Sequence, residues 1–222
     1  MPRAEGGTCG ISILALTEDA EIDNHFTPRQ QAVLEQALRL LVEGGEKAVT
    51  TAGIARAASC SKESLYKWFG DRDGLLSAMI AYQASKVRTF ESAGHRLDSD
   101  ELKRHLSDFA QDLLEVLAGD VSLALNRLAI GQTSRDGQKL GRMLLERGRA
   151  QIDQRARALL EDGRRSGVLV FDDGDEAYRV LYGLIVGDGH VRMLLGEKPD
   201  RGMFARRADR SIERFWMLFA SK

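Results

Sequence analysis

Between Ser61 and Lys67 the chain carries the side chains best suited to chemistry on a partner: Ser61, Lys62, Glu63, Ser64, Tyr66 and Lys67. Hydroxyl and ammonium groups donate to phosphate oxygens and to the acceptor edges of bases, and a carboxylate accepts from the amino group of cytosine. Leu65, Trp68 and Phe69 interleave with them at i, i+3 and i+4. A helix here therefore has an apolar face that clamps it and a small, polar face that can approach base edges. Thr50 and Thr51 stand one short helix upstream and Arg72 just downstream, where a hydroxyl or a guanidinium can hold a backbone phosphate. Glu63 reads equally well as a solvated helix charge.

Other chemistry finds less support. Cys60 is either a thiol switch or a small apolar filler of the turn, and no nearby residue marks a lowered thiol pKa, which favours the filler. His25, His95, His105 and His190 show no ligand spacing; His105 with Asp108, or Asp188 with His190, offers at best half a metal site. No glycine-rich loop follows a strand, and no Ser or Cys sits in a nucleophile turn. The expectation is a protein that is not an enzyme, with no catalytic residues, no metal and no cofactor.

The elements that position these groups follow from composition. Residues 29–198 hold no proline, and 29 Leu and 25 Ala stand against 11 Val and 9 Ile. Unbranched helix formers without breakers predict an all-α chain. Thr27-Pro28-Arg29-Gln30 starts the first helix with a hydroxyl cap, a proline and a capping-box Gln, and Gly44-Gly45 stops it. Thr50 or Thr51 caps a second helix, Ser61 a third, and Asp71 a fourth that runs from about 72 into the low nineties. Gly53 weakens the second by ~1 kcal/mol relative to Ala. Further helices are predicted near 99–118, 120–132, 138–166, 174–195 and 203–221. The many arginines of 138–166 alternate with acids and read as a solvated, salt-bridged face.

Charge and targeting set limits. The net charge is −1, and residues 26–86 carry eight basic against six acidic side chains. Binding to nucleic acid must then come from a local patch and should be strongly salt-dependent. Residues 1–25 hold one basic and five acidic residues and read as a flexible acidic tail. Its apolar run, 11–16, is too short and too poorly flanked for a signal peptide, and no run approaches the ~18 residues of a membrane helix. Two cysteines fit a reducing, cytoplasmic location.

The segment from Thr50 through Ile54-Ala55, Ser61-Lys62-Glu63-Ser64-Leu65-Tyr66-Lys67-Trp68-Phe69 and Asp71-Arg72 resembles the N-terminal domain of the TetR (tetracycline-repressor-like) family. The matching elements are the Thr ahead of Ile-Ala, the Ser opening the recognition helix, Leu-Tyr-x-x-Phe, and the basic residue three positions after that Phe. The likeness covers roughly 29–80. Two departures are Ser59-Cys60 where Gly-Val is common, which puts Ser in a strained turn conformation, and Gly53 where a longer residue is common.

The resemblance implies a three-helix helix-turn-helix DNA-binding domain over 26–86, and a helical-bundle effector and dimerisation domain over 87–222. It implies a ligand-responsive repressor that binds a near-palindromic double-stranded DNA operator as a homodimer. Lys62, Ser64 and Lys67 would meet base or groove edges, with Ser61 and Glu63 on the same face. Thr50, Thr51, Tyr66 and Arg72 would hold phosphates. The family commonly dimerises through its last two long helices, which points to Gly183, Gly187, Phe215, Trp216 and Phe219; the aromatic cluster reads alternatively as internal core. A small-molecule effector is implied, its identity and pocket residues unknown. A second reading keeps the fold but drops the DNA, leaving a small-molecule binding or adaptor protein.

Overall fold

A computed structural model describes residues 26–87, 96–132 and 139–221. The acidic tail, His25, His95 and the predicted end of the fourth helix lie outside them. The described residues are helical, with one isolated antiparallel bridge, Leu169 to Ala220. The elements are α1 (Pro28–Gly44), α2 (Thr51–Ala57), α3 (Lys62–Phe69), α4 (Arg72–Ala84), α5 (Ser99–Ala118), α6 (Asp120–Gln132), α7 (Lys139–Met143), α8 (Ala150–Arg165), α9 (Gly174–Val186), α10 (Gly189–Leu194) and α11 (Phe204–Phe219).

Caps set most boundaries. Thr27 and Gln30 form the capping box of α1. Thr50, not Thr51, caps α2 by accepting from Gly53 N. Ser61 accepts from Ser64 N at the start of α3, and Asp71 from Gly74 N at the start of α4. Each satisfies an amide with no partner inside its own helix.

Two boundaries and one winding differ from the sequence expectation. α4 ends at Ala84, and residues 85–87 form a turn where the expected helix continues. Arg155 of α8 reaches across to donate to Ala84 O at 2.9 Å and Val87 O at 2.6 Å. The predicted 174–195 helix is two, because Gly187 takes φ +49° and closes α9. Arg207 of α11 satisfies the carbonyls freed there, donating to Ile185 O at 2.8 Å and Val186 O at 2.7 Å. Between α7 and α8 the helix winds as a π-helical turn over Leu144–Arg149, a rare winding that frequently marks functional sites.

Two apolar cores hold the chain. The first joins Leu34, Leu38, Ile54, Leu65, Phe69, Met79 and Ile80, and it is completed by Leu125, Ala129 and Leu140 from α6 and α7. The second joins Leu102, Leu106, Leu113, Leu159, Tyr178, Leu181 and Phe215. Helix α4 gives Leu76, Met79 and Ile80 to the first and Ala84 to the second. A single rigid element therefore spans both.

Candidate DNA interface and adjoining cavity

Helix α3 divides as its sequence requires. Leu65 and Phe69 are buried and Trp68 packs half-buried against the same core. Each fully buried large apolar side chain contributes ~1.5–3 kcal/mol, which fixes the helix's roll. Lys62, Glu63, Tyr66 and Lys67 are exposed and Ser64 is half-buried. Tyr66 leaves 56% of its surface open, unusual for an aromatic residue with a core beside it. The Glu63 carboxyl sits below its ordinary pKa, first through its own amide at the helix start and then through the Ser61 hydroxyl. It stays ionised on the outward face.

The turn before α3 is held in two ways. Ser59 takes φ +49°, the left-handed conformation that the Ser-for-Gly departure requires. Arg29 of α1 then clamps the turn, donating to Ala58 O at 2.9 Å and Ser59 O at 2.7 Å. Nothing local in the sequence ties Arg29 to a turn thirty residues away. Cys60 is half-buried against the first core.

Thr50, Thr51, Tyr66 and Arg72 border one depression of about 430 Å³, with Lys47 beside them. The four residues expected to hold phosphates are thus brought together. Arg72 is already engaged, 3.0 Å from Glu46, so a phosphate there must share or displace that partner. Gly53 also has a structural reason. A Cβ at this position would lie 2.9 Å from Ala48 O and 3.0 Å from Thr50 Oγ1, which outweighs the helix propensity that Ala would add.

Behind this face lies a cavity of about 570 Å³, within the usual range for small-molecule sites. Ile80, Gln83 and Ala84 of α4 form one wall, and the π-helical turn supplies Leu144, Leu145, Gly148 and Arg149. Arg149 lies 4.2 Å over the Tyr182 ring and 3.5 Å from Asp153, which also accepts from the Tyr178 hydroxyl. Burial pushes the Tyr182 and Tyr178 hydroxyls up in pKa. At His190 burial, then the Arg149 charge, pushes the imidazole down, so it is neutral near pH 7. Among the described residues no group of three His, Cys, Asp or Glu could hold a metal ion. No described helix is long and apolar enough to cross a membrane.

The residues expected at a dimer contact separate. Gly183 and Gly187 are exposed on α9, but Gly187 ends the helix instead of baring a continuous groove. Phe215 is fully buried in the protomer's own core, because it falls on the α11 face shared with Ile212 and Ala208. Trp216 and Phe219 are half-buried, with Lys103 4.6 Å over the Trp216 ring. The exposed apolar surface nearby belongs to Val170, Met217 and Leu218.

Comparison with known proteins agrees with this arrangement. A family model described as "Bacterial regulatory proteins, tetR family" matches residues 33–79, and one described as "AefR-like transcriptional repressor, C-terminal domain" matches 104–220. A TetR transcriptional regulator from Agrobacterium tumefaciens of solved structure is 67% identical, with 89% of this chain and 97% of that chain covered and a TM-score of 0.80. The flavonoid-responsive regulator FrrA is 25% identical, with 86% and 97% covered and a TM-score of 0.61. The HTH-type transcriptional regulator YvkB of Bacillus subtilis is 29% identical over 89 residues, which span 40% of this chain and 41% of that protein. The helix-turn-helix, the helical domain behind it and both family matches show that the chain is a transcriptional regulator of the TetR family.

Proposed function

We propose that this regulator is a ligand-released repressor that acts as a homodimer on a near-palindromic operator. One observation carries the reading: α4 starts against the recognition helix, its last turn walls the cavity, and Arg155 pins its C-terminal end to α8. Two α3 helices would enter successive major grooves about 34–36 Å apart. Lys62, Ser64 and Lys67, with Ser61 and Glu63, face base edges; Thr50, Thr51, Tyr66 and Arg72 hold phosphates. The dimer contact lies along α9 and α11, with Gly183 and Gly187 from α9 and Trp216, Phe219 and the exposed Met217 and Leu218 from α11. The flavonoid-responsive relative supports a small organic effector.

A ligand that favours the cavity in one tilt of α4 shifts the operator-bound population by its difference in affinity for the two states, and by no more. Family membership as a regulator counts against the adaptor reading without DNA. The test is selection from random duplex DNA at low salt with the purified chain. An inverted repeat should be enriched, and Lys67→Ala with Tyr66→Phe should weaken its binding and flatten the salt slope. Retention without sequence preference, or an unchanged slope, refutes the assignment.

A further inference from the structure

The cavity wall contains polar groups of two kinds. Some are already engaged: Asn126 Nδ2 donates to Ser122 O at 2.8 Å, and Arg149 is shared between Asp153 and the Tyr182 ring. Two are not. Gln83 Oε1 and His190 Nε2 are buried with no hydrogen-bond partner, although both residues border the cavity. Gln83 is only 8% exposed. Buried polar atoms are rarely left unpaired, and those that are need an explanation such as a missing ligand. The rest of the wall is largely apolar, including Leu113, Leu117, Leu125, Leu144, Ile152 and Leu194.

We propose that the cavity takes a mainly apolar small molecule bearing neutral hydroxyl groups, of phenol or alcohol type, that hydrogen-bond Gln83 and His190. The inference rests on the reading of this cavity as the effector site and names the ligand's chemistry. A hydroxyl both donates and accepts. It serves Gln83 whichever way the amide is turned, and His190 in either neutral tautomer. A carboxylate only accepts, so it pairs with Gln83 only when the amide turns its NH2 inward and with His190 only in the tautomer protonated at Nε2. Of the two cations on the wall, Arg149 is already paired with Asp153, whose side chain is only 20% exposed and would face a like charge, and Arg142 is solvent-exposed, where an ion pair gains little. Because Gln83 stands on α4, a hydroxyl bonded there attaches the ligand to the helix that carries the DNA-binding core.

The test is calorimetric titration of the full-length chain with three probes on one ring system: 2-naphthol, 2-methoxynaphthalene and 2-naphthoate. The naphthol should bind about tenfold more tightly than the ether, which lacks the donor, and than the anion. Gln83→Leu and His190→Leu, on separate helices, should each shrink that preference. Melting curves show whether either variant is folded, and one folded variant suffices. Equal or tighter binding of naphthoate overturns the proposal, as does a preference that survives in the folded variants, or no binding by any probe. Adding naphthol to the operator complex separates the two readings. Preferential binding without release of DNA refutes the effector role and leaves the ligand chemistry standing.

Discussion

Gly74 offers a sharp test because helix propensity and packing predict opposite signs. It lies in the first turn of α4, where Ala is ordinarily worth up to ~1 kcal/mol over Gly. A Cβ at this position, however, would lie 1.9 Å from Phe69 O, the last residue of the recognition helix. Backbone must move about 1.5 Å to restore ordinary contact at 3.4 Å. The movement also strains the cap, in which Gly74 N donates to Asp71 Oδ1 at 2.8 Å. Overpacking with a backbone shift and partial loss of an N-cap together cost about 2–4 kcal/mol. At roughly 2–4 °C per kcal/mol for a chain of this size, Gly74→Ala should melt roughly 4–16 °C lower.

Circular dichroism melting against Gly141→Ala supplies the control. Gly141 is helical with nothing within 4 Å of its would-be Cβ, so that variant should melt at or slightly above the parent. Gly74→Ala should also lose operator affinity well below its melting temperature, since α3 and α4 can no longer meet at the same angle. If Gly74→Ala melts with or above the parent and binds DNA unchanged, the α3–α4 contact does not set the recognition helix.

Other outcomes follow from single contacts. Ser59→Gly should raise stability by about 1 kcal/mol in denaturant titration, because Gly adopts φ +49° without the left-handed penalty. Arg155→Met strips the donor from Ala84 O and Val87 O; it should cost about 1–3 kcal/mol and weaken ligand-induced release of DNA more than DNA binding itself. Phe215→Ala should destabilise the fold by ~3–5 kcal/mol, whereas Leu218→Arg, at an exposed site, should leave the fold intact and shift sedimentation toward monomer. The Asp71 carboxyl is held below its ordinary value of 3.8, chiefly by the Gly74 amide. With the folded pKa below the unfolded one, its stabilisation is present above that value and drains away as pH falls through the folded pKa. Asp71→Asn should therefore flatten the acid limb of a stability–pH curve, and an unaltered limb would refute that cause.

Local signals were legible in the sequence and distant ones were not. Thr27, Ser61 and Asp71 announce their helices because a cap is settled within four residues. The interleaving of Leu65, Trp68 and Phe69 with Lys62, Tyr66 and Lys67 separates core from contact face without any tertiary knowledge. By contrast, the clamp of Arg29 on the turn, of Arg155 on the end of α4 and of Arg207 on the end of α9 each spans more than twenty residues. These arginines look like surface charges in one dimension, and the alternation of the α8 arginines with acids reads as a solvated face. Phe215 illustrates the same limit: periodicity marks it as apolar, but only the α11 packing shows that its face turns inward while Met217 and Leu218 turn out.

The three arginine clamps also bear on how such a molecule can switch. Each guanidinium donates to carbonyls at the end of a helix or in a turn, and each joins that end to a different helix. Arg29 fixes the recognition turn to α1, Arg155 fixes α4 to α8, and Arg207 fixes α9 to α11. Carbonyl–guanidinium bonds hold an element's end in place while its axis remains able to tilt, because the donors fan from one planar group. Helix α4, pinned at Ala84 and packed at Phe69, can pivot in that way. One turn before that pin, Ile80 packs against the π-helical turn at Gly148, the side from which a cavity ligand would press.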